Sequence, residues 1–195
     1  IWPSSRGGLF VMNIERDEIR QLTREVAYLI WSQETNDIAF LWQHENHNIA
    51  VMNSDNTNRR LLFHNRLVIS PYSWSPDGKF LACHVASRSQ WGAEYKDFDR
   101  LYILDIAGNL VYQRDWRVAL LAWSPDSQRI ACIAPSKNGD EEQPPCVYVM
   151  GRDGSALRPV GFTYYETEIA WSPDSQQISF IRYDMDTYTY ALGVN

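Results

Sequence analysis

The stretch SWSPDGKFLAC, residues 73–83, recurs twice further along the chain in nearly the same letters. The later copies are AWSPDSQRIAC at 122–132 and AWSPDSQQISF at 170–180, and a degenerate copy, WSQETND, begins the series. The tryptophans at the shared position are separated by 43, 49 and 48 residues: Trp31, Trp74, Trp123 and Trp171. A period of roughly 40–50 residues is typical of proteins built from repeated structural units. The chain is therefore predicted to build one unit several times.

Each repeat also carries a second apolar run after a variable segment. These runs are IAVM (49–52), LYIL (101–104), VYVM (147–150) and TYAL (189–192), and an orphan copy, LFVM (9–12), precedes the first repeated tryptophan. Short apolar runs that are bounded by turn formers indicate β-strands. Each unit is thus predicted to consist of strand, tight turn, strand, variable loop, strand, turn and strand, and the four strands are named A to D in chain order.

The Trp-Ser-Pro-Asp segment predicts the tight turn between strands A and B. In the first full copy, Pro76 fixes φ at the first central position, Asp77 suits the second, and Gly78 accepts a left-handed conformation. Ser127 and Ser175 stand where Gly78 does, so a left-handed backbone there would cost about 1 kcal/mol in each turn. The degenerate copy has lost both Pro and Asp and is expected to specify its turn least well.

A single twisted four-stranded sheet cannot bury both of its faces, whereas sheets stacked around an axis cover one another. The repeated tryptophan is then expected to be a buried wedge between neighbouring sheets, each burying about 150–250 Å². We therefore predict an all-β fold, a β-propeller of four-stranded antiparallel blades with about four blades present. The predicted units of the single segment 1–195 are a partial blade 1–25, blades 26–66, 67–116 and 117–164, and an incomplete blade 165–195.

This blade count leaves the ring incomplete. The chain begins with strands C and D of one unit and ends after strands A, B and C of another. Propellers usually hold about 4–8 blades. We expect a part of a larger ring of six or more blades, completed by the rest of its own chain or by another subunit, and a complete small ring is the alternative. Because Ile1 is not Met, the N-terminus is expected to be a cut or processed end.

Three copies of Trp-Ser-Pro-Asp before a strand pair, each followed by a YVM-like third strand and a polar turn, resemble the TolB-type β-propeller, a Pro-Asp relative of the WD-repeat family. The resemblance covers residues 9–195. It implies a protein-interaction scaffold in a commonly six-bladed ring, in the periplasm or at the exterior of a bacterial cell. Similar blades form the substrate-gating domains of prolyl-oligopeptidase-like hydrolases, which leaves that role as an alternative.

Composition and motifs narrow the classes of function. The net charge of −6 and the pI near 5.2, without a basic stripe, argue against nucleic acid as a partner. The sequence has no run of about 18 apolar residues, so no membrane insertion is expected. It contains neither a Gly-x-Ser-x-Gly elbow nor a Gly-rich phosphate loop, so we predict neither an enzyme nor a cofactor.

The longest loops of the repeat are predicted between strands B and C, at 43–48, 84–100, 134–146 and 183–188. Because these connections leave the blades on one face, and loops on a rigid scaffold commonly bind partners, this face is the predicted site. Trp91 and Tyr95 are the predicted aromatic anchors. Acidic residues that would attract a basic protein segment or a hard cation are Glu45, Glu94, Asp97, Asp99, Asp140, Glu141, Glu142, Asp184 and Asp186. One alternative is that these loops are only solvated and bind no partner. Another is that the acidic loops make the domain a sensor of a cation or a small ligand.

Histidine and cysteine are not predicted to form a metal site or a disulfide. All four histidines are assigned to loops, without a set of metal-ligand spacing: His44, His47, His64 and His84. The two Asp-x-Asp pairs in the loops lack the Gly and the distant Glu of an EF-hand. Cys83 and Cys132 take a repeat position that phenylalanine fills elsewhere, which predicts small apolar core residues. Cys146 begins a third strand alone.

Overall fold

The computed structural model of the chain describes residues 8–42, 48–64, 69–86, 99–136, 144–163, 167–183 and 190–194. These residues form seventeen strands and no helix. The strands make five antiparallel sheets, one of two strands, three of four strands and one of three strands. The described part of the chain therefore contains no helix with the length and apolar character needed to cross a membrane. The predicted class, all-β with four-stranded antiparallel sheets, is confirmed.

The sheets follow one another along the chain, and each lies within one of the predicted blade ranges. The partial blade comprises β1 (Gly8–Asn13) and β2 (Glu18–Arg24), and the first blade comprises β3 (Val26–Trp31), β4 (Asp37–Trp42), β5 (Asn48–Asn53) and β6 (Arg60–Phe63). The second blade comprises β7 (Ile69–Trp74), β8 (Phe80–Ala86), β9 (Asp99–Asp105) and β10 (Leu110–Asp115). The third blade comprises β11 (Leu120–Trp123), β12 (Arg129–Ala134), β13 (Cys146–Gly151) and β14 (Arg158–Phe162). The terminal blade comprises β15 (Ile169–Trp171), β16 (Ile178–Tyr183) and β17 (Tyr190–Val194).

Within each complete blade the order of strands across the sheet is the order along the chain. In the third blade, Ile130 of strand B lies opposite Trp123 of strand A and Met150 of strand C. Short connections favour this arrangement because consecutive antiparallel strands need only a tight turn between them. The predicted order A to D is therefore confirmed in the three complete blades.

Apolar clusters join each sheet to the next one along the chain. The alternation of side chains along β13 illustrates how one strand serves two of them. Tyr148 and Met150 pack in the cluster shared with the second blade, whereas Val147 and Val149 pack in the cluster shared with the terminal blade. The three complete blades are thus apolar on both faces, as stacked sheets require.

The repeated tryptophan is a buried wedge at two of its four positions. Trp74 and Trp123 are 8% and 7% exposed, and Trp171 is half-buried. The indole Nε1 of Trp74 donates to the carbonyl oxygen of Ile30 at 3.4 Å, across the boundary between two blades. For Trp31 the prediction of burial is wrong, because this side chain is 46% exposed. Among the described residues the partial blade has only strands C and D, so no described strand A lies beside Trp31 to cover its side chain.

The described strands do not close into a ring. In the two-stranded sheet, β1 pairs with β2 alone, and in the three-stranded sheet β17 pairs with β16 alone. Each of these strands therefore has a free edge among the residues that the structure describes. A free edge leaves a row of backbone donors and acceptors without sheet partners.

Candidate functional site

The turns between strands A and B are held by a serine and an aspartate of the repeated motif. In the second blade, the hydroxyl of Ser75 donates to Asp77 Oδ1 at 2.6 Å and accepts the backbone N–H of Phe80 at 3.0 Å. The same Asp77 oxygen accepts the N–H of Lys79 at 3.1 Å. The motif thus forms a compact hydrogen-bonded turn in which the serine oxygen is both donor and acceptor.

The third and terminal blades repeat this turn almost atom for atom. Ser124 donates to Asp126 at 2.5 Å, and Ser172 donates to Asp174 at the same distance. The degenerate turn of the first blade keeps its serine, which accepts the N–H of Thr35 at 3.1 Å. The assignment of Ser-Pro-Asp to turn chemistry agrees with these bonds.

The turn hydrogen bonds lower the pKa of the motif aspartates in the third and terminal blades. The hydroxyl of Ser124, followed by the N–H of Gln128, holds the pKa of Asp126 below its ordinary value. For Asp174 the causes are the hydroxyl of Ser172 and then the N–H of Gln176. A lowered pKa in the folded state means that the stabilisation is complete above the unfolded pKa, about 3.9 for aspartate, and is lost as the pH falls through the folded value.

We therefore expect the thermal unfolding midpoint of the chain to fall as the pH is lowered below about 4. The double variant Asp126→Asn, Asp174→Asn should be less stable than the parent at pH 6 and should show a shallower fall on acidification, because it lacks the two titrating groups. Calorimetry between pH 6 and pH 2.5 measures both slopes. Parallel curves for the two proteins would contradict this assignment.

In the third and terminal blades a second serine links the turn to the turn of the preceding blade. Ser127 and Ser175 have φ of 59° and 61°, so the predicted left-handed backbone at the glycine position is confirmed. The hydroxyl of Ser127 accepts the N–H of Asp77 at 3.0 Å, and the hydroxyl of Ser175 accepts the N–H of Asp126 at 3.0 Å. Each left-handed serine therefore offsets its backbone strain with a hydrogen bond between blades.

Two substitutions of Ser127 separate the strain from the hydrogen bond. Ser127→Ala keeps the strained backbone and removes the acceptor of the Asp77 N–H, so we expect the free energy of unfolding to fall by about 1–3 kcal/mol. Ser127→Gly removes the same acceptor but relieves the left-handed strain, so its loss should be smaller by about 1 kcal/mol. Urea denaturation of both variants measures the difference. An alanine variant as stable as the glycine variant would contradict it.

A cavity of about 340 Å³ lies where strands A of three blades end. It is lined by residues of the first three A–B segments: Ile30, Trp31, Gln33, Ser73, Trp74, Ser75, Pro76 and Trp123. The buried Nε1 of Trp123 has no hydrogen-bond partner among the described residues, whereas Trp171 Nε1 donates to the Ala122 carbonyl at 3.0 Å. This cavity was not predicted from the sequence, although the recurrence of tryptophan at the end of strand A is the signal that points to it.

The predicted site at the B-to-C loops lies almost wholly outside the described residues. Asp99 is the exception, and it is the first residue of β9 rather than a loop residue. The remaining predicted residues are outside the description: Glu45, Trp91, Glu94, Tyr95, Asp97, Asp140, Glu141, Glu142, Asp184 and Asp186. The sheet topology brings the ends of strands B and the starts of strands C to the same edge of each blade. That these loops share one face of the propeller stays a prediction.

The described residues at this edge of the second blade include two arginines. Arg100 at the start of strand C hydrogen-bonds Asp115 at the end of strand D and donates to the hydroxyl of Tyr102 at 3.2 Å. Arg114 lies 4.4 Å from the ring centre of Trp116, a cation–π contact. Arg100 and Arg114 therefore lie next to the predicted acidic loop of the second blade, whereas the Trp116 ring that Arg114 contacts is buried, at 9% exposed.

The histidines and cysteines of the described residues do not form a metal site of three or more ligands. Within those residues no group of three His, Cys, Asp or Glu side chains is placed to hold an ion. The structure has His64 Nδ1 2.5 Å from Asn48 Oδ1. The assignment of His84 to a loop is wrong, because β8 continues through it to Ala86. His44 and His47 lie outside the described residues.

The three cysteines are free and buried, so the predicted core role of Cys83 and Cys132 is confirmed. Burial raises the pKa of the Cys132 thiol to about 12. Burial also raises the pKa of Cys83 and of Cys146. All three side chains are therefore thiols at neutral pH rather than the reactive thiolate.

No protein-family model matches the chain, and no curated protein matches it either. Similar solved structures include TolB from Acinetobacter baumannii, 14% identical with a TM-score of 0.59, which the chain matches over 100% of its own length and 47% of that protein. Dipeptidyl peptidase 4 from Porphyromonas gingivalis is 12% identical with a TM-score of 0.69 over 100% of this chain and 35% of that one. The tricorn protease is 14% identical with a TM-score of 0.68 over 96% of this chain and 19% of that one.

The chain thus spans less than half the length of these three proteins, and at such identities the likeness concerns the fold. The stacked antiparallel sheets, the hydrogen-bonded Ser-Pro-Asp turns and the likeness to TolB confirm the resemblance seen in the repeats. The chain is a run of blades with the TolB-type β-propeller fold.

Proposed function

We propose that the chain belongs to a non-catalytic, TolB-like binding scaffold that holds protein partners through its B-to-C loop face. The observation that carries this proposal is the contrast between the two ends of the blades. The A–B turns are short and use their own side chains in hydrogen bonds within the turn. The additional residues of the second and third blades all fall between strands B and C. Length variation on a rigid scaffold is where binding residues usually accumulate.

The chemistry of the loops favours a basic protein segment as the partner. The third-blade loop contains the acidic run Asp140-Glu141-Glu142, and the second-blade loop contributes Trp91 and Tyr95 as aromatic anchors. The net charge of −6 also favours the approach of a cationic partner.

Charge reversal in the third-blade loop tests this proposal. The triple variant Asp140→Lys, Glu141→Lys, Glu142→Lys should bind a lysine-rich dodecapeptide at least about tenfold more weakly than the parent, because three attractive contacts become repulsive. Fluorescence anisotropy of the labelled peptide measures the dissociation constants at low and at physiological salt. The fold should remain intact, with an unchanged circular-dichroism spectrum, because the substitutions are confined to a loop.

The matched control makes the same change of charge at the opposite edge of the blades. Glu15, Glu18 and Glu34 are exposed and lie at the C–D turn of the partial blade and at the first A–B turn. Their triple replacement by lysine should leave peptide affinity within about twofold of the parent, since these residues are remote from the B-to-C loops. Equal losses in the two triple variants would assign binding to net charge alone and overturn the proposed face.

A second candidate function is a substrate-gating propeller attached to a hydrolase. The similarity to acylaminoacyl peptidase from Pyrococcus horikoshii, at a TM-score of 0.67 and 11% identity, favours it. Labelling of the native polypeptide with a fluorophosphonate probe, followed by intact-mass measurement, distinguishes the two functions. A labelled polypeptide larger than the 22.7 kDa of this chain would support the gating domain. An unlabelled polypeptide that retains peptide binding would support the scaffold.

A further inference from the structure

The third blade carries two cysteines on one face of its sheet. Cys132 lies in strand B, opposite Tyr148 in the antiparallel register. Cys146 begins strand C and is opposite Ala134, so the two cysteines are diagonal neighbours. Both side chains pack in the apolar cluster shared by the second and third blades, and they are 0% and 4% exposed. Two thiols therefore share one buried environment.

The separation of these thiols suits a bridging ion better than a disulfide. Diagonal neighbours on antiparallel strands have Cα atoms about 7–8 Å apart, whereas a disulfide needs them within about 7 Å. Both cysteines are free in the structure. An ion between the sulfurs replaces one bond of about 2 Å by two bonds of about 2.3 Å each, which spans the longer distance. The geometry therefore favours a metal bridge over a direct sulfur–sulfur bond.

The number and type of ligands determine the class of ion. Structural zinc takes four ligands, and the described residues contain no group of three His, Cys, Asp or Glu side chains that could hold an ion. Thiolates are soft ligands that select Cu(I). Two thiolates in a linear arrangement are sufficient for this soft, monovalent ion.

Arg114 supplies the charge that such a site needs. Two thiolates and one monovalent cation carry a single net negative charge, which is costly to bury without a counter-charge. The Arg114 guanidinium lies 4.4 Å from the ring centre of Trp116, a member of the same apolar cluster. Burial is the main cause of the raised pKa of Cys132, the charge of Arg114 acts against it, and Cys146 raises the pKa further. Arg114 and the second thiol thus both lie within electrostatic reach of Cys132.

The second blade holds only one of the two thiols. Cys83 takes the position of Cys132 and is likewise fully buried opposite a tyrosine. At the position of Cys146, however, the second blade has Arg100. The second blade is therefore an internal control, with a buried thiol that lacks a partner.

We propose that Cys132 and Cys146 bind one Cu(I) ion as a buried bis-thiolate whose charge Arg114 compensates. Each thiol releases its proton to solvent, and the electron pair left on each sulfur forms a bond to the ion. Two protons therefore leave for each ion bound, and no atom changes its oxidation state. Cys146 is the first residue of strand C, so the ion reaches the site from the B-to-C edge of the blade.

Competition with bicinchoninate for Cu(I), under anaerobic conditions with ascorbate as reductant, tests this proposal. The parent chain should withdraw one Cu(I) per chain from the coloured chelate. Cys132→Ala and Cys146→Ala should each weaken Cu(I) binding at least about hundredfold, because each removes one of two ligands. Cys83→Ala should bind as the parent does. Circular dichroism of each variant checks the fold.

Two substitutions of Arg114 test the compensating charge. Arg114→Gln should weaken Cu(I) binding about tenfold, as loss of a group that supports a metal site commonly does. Arg114→Lys keeps the positive charge and should lose less. Equal losses in the two variants would contradict the role of the charge.

X-ray absorption at the copper edge gives a readout on the parent chain alone, which holds even where a cysteine variant does not fold. The copper complex should show sulfur neighbours without nitrogen, and Cu(I) should raise the unfolding midpoint of the parent. Nitrogen ligands, or a parent chain that takes no copper from the chelate, would overturn the proposal. So would unchanged binding in the Cys132 and Cys146 variants, or an equal loss in Cys83→Ala.

Discussion

Replacing Trp123 by alanine is expected to lower the free energy of unfolding by about 3–5 kcal/mol. This side chain is 7% exposed and packs between the second and third blades in the largest apolar cluster described. Its ring stacks at 6.4 Å on Phe80 of the preceding blade. Truncation removes the buried surface of the wedge and leaves a cavity between two sheets that cannot collapse freely. Urea denaturation followed by far-ultraviolet circular dichroism measures the loss.

Trp31→Ala is the matched control, since Trp31 takes the same position in its own repeat. It should cost about 1 kcal/mol or less, because the side chain is 46% exposed. The indole Nε1 of Trp123 makes no hydrogen bond to a described residue, so the difference between the two variants reports packing rather than a lost bond. Similar losses at Trp31 and Trp123 would show that the wedge does not depend on a neighbouring blade.

The substitution Gly108→Ala should destabilise the chain by about 2–5 kcal/mol. Gly108 lies in the C–D turn of the second blade with φ of 89°, a conformation that L side chains rarely adopt. A Cβ atom added there would overlap the carbonyl oxygen of Leu62 in the first blade. Because the obstacle is backbone within a sheet, neither blade can give way without moving the interface. Thermal and urea unfolding of the variant measure the cost.

Gly154→Ala separates the two causes of that cost. Gly154 has φ of 80° in the C–D turn of the third blade, but a Cβ there would meet the ring of Tyr112, which is only half-buried and can rotate. This variant should therefore carry the backbone strain and a smaller steric cost. A loss at Gly154 equal to or above the loss at Gly108 would contradict the importance of the backbone overlap.

The fold was predictable from the sequence because its signals are local and repeated. Pro76, Asp77 and Gly78 encode a turn within four residues, and the same turn recurs at a constant period with the hydrogen bonds that its chemistry implies. The alternation of side chains between the two faces of each strand C likewise depends only on residues that are neighbours in sequence.

The remaining features depend on contacts between blades, which no single repeat encodes. Trp31 is exposed because no described strand A lies beside it, although it takes the same repeat position as buried Trp74. The sequence predicted only backbone strain at Ser127. In the structure the Ser127 hydroxyl also accepts the backbone N–H of Asp77, which lies 50 residues away in sequence. Most of the predicted acidic site lies outside the described residues, so the binding face stays a prediction.

The serine bonds between turns give the stack of blades a direction. In both bonds the acceptor hydroxyl belongs to the blade that follows in the chain. Removing a blade from the C-terminal side therefore leaves the N–H of the preceding turn without its acceptor. Removing a blade from the N-terminal side leaves every remaining N–H with its acceptor. The second blade does not continue this series of bonds, because Gly78 stands in place of the serine. A Cβ at Gly78 would come 2.7 Å from the Thr35 side chain of the first turn. Circular permutants or blade exchanges in this protein should therefore preserve the order of adjacent turns, and a designed C-terminal cap should offer a hydroxyl to the N–H of Asp174.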